Sequence, residues 1–208
     1  MPFSITTQRL RLRPWQDADR ASLERMARDS DMMHFLTDGR PWRDDEVDEF
    51  LERQALHLAT HGVCMGPAEL IATGEVVGMA GLQPLDDGTF ELGWWIWKAH
   101  WKLGLATEAA ARLVEYARDT MALDRLAAVI DEHNLASRRV AEKIGMRLEG
   151  IRSARETNAR RPDLPIAFYT MRLETHAADY RPRQAVDAQG TTHVEKEKPP
   201  SRFRDRGF

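Results

Sequence analysis

Cysteine is almost absent: Cys64 is the only one in 208 residues. A lone thiol cannot close an internal disulfide, so a reducing compartment, the cytoplasm, is expected. No neighbour in sequence marks Cys64 as an activated thiolate, and a small buried apolar role is expected for it. Long apolar runs are missing too. No stretch approaches the roughly 20 residues of a membrane span, and the first residues lack the apolar core of a secretory signal. No charge of one sign dominates: the net charge is −3, which gives no electrostatic case for DNA or a membrane surface as partner. His57 and His61 stand at a metal-compatible i, i+4 spacing, but no third ligand follows at a telling distance, so no metal is expected. Internal repeats are absent as well.

What is present suits one ordinary domain, with 42% hydrophobic and 30% charged residues. Arg9–Trp15 alternates Leu10, Leu12 and Pro14 with arginines, a strand with one wet face. Gln16–Asp29 and Arg43–Thr60 read as helices. Gly62–Ile71 and Glu75–Leu82 flank Ala72-Thr73-Gly74 as a hairpin. Pro84 to Gly88 turns into an aromatic strand, Thr89–Trp97. A buried strand, Arg125–Asp131, precedes a helix over Leu135–Ile144, which Gly145 stops as a C′ glycine. Met146–Ser153 and Ile166–Leu173 form a closing pair around the loop Asn158–Pro165. The pattern predicts an α/β (α+β) sheet with helices on both faces. Past Glu174 it fails: residues 176–208 are polar and mixed in charge, and read as a disordered tail, a partner-binding segment or an arm to another subunit. The domain proper is therefore placed at 1–175.

The most informative segment joins the aromatic strand to a helix through Trp101-Lys102-Leu103-Gly104-Leu105-Ala106-Thr107. Leu105, Ala109, Leu113 and Ala117 keep one apolar face at helical period. Such a junction aims unpaired N–H groups and the positive end of a helix dipole at one spot, which suits a phosphate or pyrophosphate. No Gly-Lys-Ser/Thr follows the loop glycine, which argues against a phosphate-loop nucleotidase.

With Asn134-Leu135-Ala136-Ser137 and the run Val140 to Gly145, this segment resembles the GNAT superfamily of acyl-CoA-dependent N-acyltransferases, in particular its ribosomal-protein N-terminal (alanine/serine) acetyltransferase-like branch. The shared positions are Glu91, Gly93, Trp95, Trp101, Gly104, Ala106, Thr107, Glu108, Ala109, Asn134, Ser137, Val140, Lys143 and Gly145. Thr7 to Trp15 and Asp17-Ala18-Asp19 resemble the branch's first strand and helix entry, so the likeness runs from about Thr6 to Glu174. It implies the GNAT fold, a mixed and mostly antiparallel sheet.

The resemblance also implies roles. The donor's pyrophosphate would lie over the backbone of Trp101, Lys102, Leu103, Gly104, Leu105, Ala106 and Thr107. Lys102 and Leu103 depart from the branch, which has glycine and a basic residue there; Lys102 could return the missing charge. Backbone N–H groups of Gly93 to Ile96, among them those of Trp95 and Ile96, would stabilise the oxyanion. Asn134 would bind the pantetheine arm or serve only as an N-cap. Ser137 would protonate the thiolate or be an ordinary first-turn residue. Arg138, Arg139 and Lys143 would meet phosphates or solvent. Glu91 shares a strand face with Gly93, Trp95 and Trp97. It is either the general base for the incoming amine or structural, with Glu69 and Glu75 as weaker candidates for the base. Trp15 and Trp42 would pack or line the acceptor cleft. The implied activity is acetyl transfer from acetyl-CoA to a primary amine, a protein N-terminus or a small molecule, by direct attack in a ternary complex. The alternative is a non-catalytic acyl-CoA-binding sensor on the same fold. A monomer or homodimer is expected.

Overall fold

The computed structural model describes residues 3–36, 38–154 and 163–174. In chain order their elements are β1 (Ile5–Thr6), β2 (Leu10–Leu12), α1 (Arg20–Arg28), α2 (Ser30–Met33), α3 (Asp44–His61), β3 (Met65–Leu70), β4 (Val76–Pro84), β5 (Phe90–Ile96), α4 (Leu105–Asp119), β6 (Arg125–Asp131), α5 (Leu135–Lys143), β7 (Arg147–Ser153) and β8 (Pro165–Arg172). The strands make one sheet in the order β1-β2-β3-β4-β5-β6-β8-β7. Every pairing is antiparallel except β5–β6.

Alternation divides the buried side chains between two faces. On one face Leu82, Leu92, Leu126 and Tyr169 pack with Leu105, Ala109, Leu113 and Ala117 of α4 and Ala141 of α5. The expected apolar stripe of α4 is thus the buried one, and Leu113→Ala is worth about 2–5 kcal/mol by the usual cost of such a cavity. On the other face Met65, Val76 and Met79 pack with Leu23 and Met26 of α1, Met32 and Met33 of α2, and Val47 and Phe50 of α3. Among the described residues no helix is long and apolar enough to cross a membrane.

The helix expected from Gln16 opens there: Gln16 is the N-cap of a 3-10 turn, Asp17–Asp19, that runs straight into α1, and the Asp19 carboxylate closes the cap by accepting from the Gln16 N–H (2.9 Å) and from two Arg13 nitrogens (2.6 and 2.9 Å). Its far end differs from the sequence pattern. A separate short helix, α2, follows α1, since Asp29 accepts from the N–H groups of Asp31 (2.9 Å) and Met32 (3.1 Å). Elsewhere the agreement is close: β6 has the expected bounds, and Gly145 follows α5 with φ 90.

One sheet feature positions everything below. β5 and β6 pair only at Phe90↔Leu126 and Glu91↔Ala127. Beyond these pairs the strands have no ladder to each other, so the rest of β5, Leu92 to Ile96, faces a gap.

Candidate active site

Two clefts flank that gap. The first, about 560 Å³, lies over the loop between β5 and α4 and is lined by Trp94, Trp95, Ile96, Trp101, Lys102, Gly104, Leu105, Ala106, Thr107, Asn134, Ser137, Arg139 and Lys143. The second, about 500 Å³, has an aromatic wall of Trp42, Phe50 and Trp95 and includes Glu91, Gly93 and Val129. Phe35, Leu36 and Trp95 line both, so the clefts meet at the β5 tryptophan.

The loop cleft is built for anions. Gly104, at φ 80, is the N-cap of α4, whose first-turn N–H groups have no intrahelical acceptor. Lys102 also has a left-handed backbone (φ 63), unusual for a residue with a Cβ. The loop is braced from behind: Glu108 accepts from Thr7 Oγ1 (2.5 Å), the Arg9 N–H (2.8 Å) and Arg9 Nε (2.7 Å), while Arg9 donates to the Leu103 carbonyl (2.9 Å). Trp101 Nε1 donates to the Ile96 carbonyl (2.6 Å) and ties the loop to the end of β5. Lys102, Arg139 and Lys143 have no ion-pair partner among the described residues, so three cations stand ready for negative charge. Asn134 caps α5 by accepting from the Ser137 N–H (3.1 Å), which leaves its amide nitrogen to donate elsewhere.

The aromatic cleft centres on Glu91. Its carboxylate accepts from Gln83 Nε2 (2.7 Å), its cross-strand neighbour, and the Val129 N–H across the β5–β6 gap lies near enough to favour the charged form. Desolvation is the largest influence and pushes its pKa up from the ordinary carboxylate value, against the lowering effect of those two groups. His57 lines the same cleft; burial first, then Arg53 and His61, lower its pKa and keep the ring neutral near pH 7. Glu46 is also there, held by Arg40 (2.7 and 2.9 Å). Glu49 and Asp86 line the cleft with no partner among the described residues.

The acetyltransferase (GNAT) domain matches residues 9–147 of this chain. The chain belongs to the GNAT acetyltransferase family. An uncharacterized Bacillus subtilis (strain 168) protein, YkkB, is 34% identical over 146 residues, which cover 68% of this chain and 84% of YkkB. An acetyltransferase from Agrobacterium tumefaciens str. C58 superposes with a TM-score of 0.69 at 25% identity, over 82% of this chain and 95% of that one. Mycobacterium smegmatis RimJ, solved with CoA-disulfide, shares the fold at 21% identity and a TM-score of 0.66, over 82% and 88% of the two chains.

Within this GNAT domain the expected residues sort clearly. Trp95, Ile96, Trp101, Lys102, Gly104, Leu105, Ala106, Thr107, Asn134, Ser137, Arg139 and Lys143 converge on the loop cleft, and Glu91 lies in its neighbour. Leu103 presents an exposed side chain and gives its carbonyl to Arg9, so its backbone N–H is the group that remains for the expected role. Arg138 is a correction, since its guanidinium turns to the Tyr169 hydroxyl (3.2 Å) and the Glu132 carbonyl (3.1 Å). Glu69 is no spare base: Arg11 (3.0 Å) and Arg13 (2.7 Å) hold it, outside both clefts. Glu75 faces His100 at 3.6 Å, also outside both. Trp42 lines the aromatic cleft as expected, while Trp15 donates to the Met65 carbonyl (2.8 Å) beside a separate cavity. Cys64 is buried, and burial pushes its thiol up to about 12, which makes it unreactive. Most of the loop expected over Asn158–Pro165, and all of 176–208, lie outside the described residues.

Sequence reasoning missed the β5–β6 gap, the part of α2 and its flank in joining the clefts, and Gln83 and Val129 as neighbours of Glu91. Only Gln83 carried a signal, since a regular hairpin register places it opposite Glu91.

Proposed function

We propose that the chain transfers the acetyl group of acetyl-CoA to a primary amine by direct attack, with both substrates bound together. The observation that carries this reading is the meeting, at Trp95, of a cationic cleft over a helix N-terminus with an aromatic cleft holding a desolvated carboxylate. The donor set of the loop cleft fits coenzyme A: free N–H groups at the start of α4 for the pyrophosphate, and Lys102, Arg139 and Lys143 for negative charge. The CoA-bound RimJ of similar fold supports the assignment.

Acetyl-CoA supplies an acyl group activated as a thioester. Glu91 takes the proton of the incoming ammonium, directly or through water, and its raised pKa brings its basicity nearer to that of the amine. Along Gly93 to Ile96 alternate N–H groups are turned to β4, and those of Trp94 and Ile96, which face the gap, receive the charge that develops on the carbonyl oxygen. As the carbon–sulfur bond breaks, Ser137 protonates the departing thiolate and is itself reprotonated by the second proton that the former amine nitrogen sheds, while the Asn134 amide donates to the pantetheine arm. The same fold without turnover would be an acyl-CoA sensor. The deciding experiment incubates the protein with acetyl-CoA and a panel of primary amines, reading free thiol and acetylated product. Tight acetyl-CoA binding with no thiol released above the hydrolysis background for any amine would overturn the enzyme in favour of the sensor.

A further inference from the structure

The aromatic cleft has more than one reacting amine requires. Glu91 is one carboxylate, and two others, Glu49 from α3 and Asp86 from the β4–β5 turn, line the same cavity unpaired among the described residues. A neutral or anionic acceptor would leave them without a counter-charge. Trp42, Phe50 and Trp95 form one packed aromatic group in that cavity, with Trp42 at 5.2 Å from Phe50 and 5.8 Å from Trp95 between ring centroids. Aromatic faces beside free carboxylates attract organic cations. His57, kept neutral by burial, lines the cavity without adding a positive charge against a cation. The opposing charges are Arg53, which lies 5.5 Å from the Phe50 ring, and Arg40, which is bound to Glu46. At about 500 Å³ the cavity is of small-molecule size.

We propose that the acceptor is a small polyamine-type molecule, whose reacting amine lies by Glu91 while a second ammonium is held by Glu49 and Asp86. This inference rests on the acetyl-transfer reading and adds the acceptor's class. It is tested with 1-aminobutane and 1,4-diaminobutane, matched in chain length, with the longer spermidine, and with a neutral tripeptide bearing a free N-terminus. The expected result is a kcat/KM for the diamine or spermidine at least tenfold above that for aminobutane. That ratio should shrink with added salt and collapse towards one in the Glu49→Gln/Asp86→Asn double variant, checked to be folded by its melting curve. Equal rates for the mono- and diamine, a ratio that survives the double variant, or a clear preference for the neutral tripeptide would each overturn it and leave acetyl transfer standing. If no amine releases thiol, the transfer reading itself falls. Calorimetry with spermidine then decides the cation site: binding lost in the double variant supports it, and no binding, or binding the variant leaves intact, overturns it.

Discussion

The loop cleft and the aromatic cleft share Trp95, yet they are opposite in charge and opposite in how the chain builds them. The loop cleft collects unpaired cations, and apart from Asp31 of α2 its polar lining comes from two short stretches, His100 to Thr107 and His133 to Lys143. The aromatic cleft collects carboxylates from α3, a hairpin turn, β5 and β6, positions as far apart as Glu46 and Asp131. Phosphate binding can be met by consecutive backbone N–H groups at one helix start. A pocket around an amine's reacting end needs walls on several sides, which only distant segments can supply.

The sharpest break in that contrast is expected at Glu91. Glu91→Gln should lower kcat at pH 7 by about 10²–10⁴, the usual worth of a positioned base, with acetyl-CoA affinity little changed. Part of the loss should return at high pH as more free amine is present. Stability should move the other way. The folded-state pKa of Glu91 lies above its ordinary 4.5, so the folded protein loses stability as pH rises from the unfolded value through the raised one. The variant lacks that loss, and its melting temperature should gain on the wild type across the same window. Full turnover by Glu91→Gln at every pH would assign the base to water or another group.

On the loop side the largest effect belongs to Gly104→Val. A Cβ there meets nothing closer than 3.6 Å, so the strain comes from φ 80 rather than from crowding. The expected cost is about 1–2 kcal/mol of stability, with a loop that moves and binds acetyl-CoA at least tenfold more weakly by calorimetry. Unaltered affinity would place the pyrophosphate elsewhere. Lys102→Gly is expected to be milder and two-sided. Relief of a left-handed backbone should raise stability by about 1 kcal/mol, while loss of one charge-assisted contact weakens acetyl-CoA binding by about the same amount. A variant that gains stability and keeps its affinity would show that Lys102 does not touch the donor. The smallest effect is expected from removing residues 176–208, whose polar composition offers little to bury. A fall of more than a few degrees in melting temperature would show that this segment docks.

Much of the fold was legible because its signals are local. The period of Leu105, Ala109, Leu113 and Ala117, the glycine after α5, and the Ala72-Thr73-Gly74 turn each report on neighbours a few residues apart. The errors came where a side chain reached across the chain. Arg138 turned to the Tyr169 hydroxyl, and Glu69 proved to be the partner of two arginines.

By itself, then, the sequence determined the family, the order of elements and the anion-binding loop, since spacing along the chain suffices for a helix start and its backbone donors. Only the tertiary structure decided that β5 and β6 part after Glu91, that Gln83 donates to that carboxylate, and that Glu49 and Asp86 share a cavity with it. The physical reason is range. Hydrogen-bond and hydrophobic periods act over a few residues, whereas desolvation and the field in a cleft are set by everything that packs around it, wherever it stands in the chain.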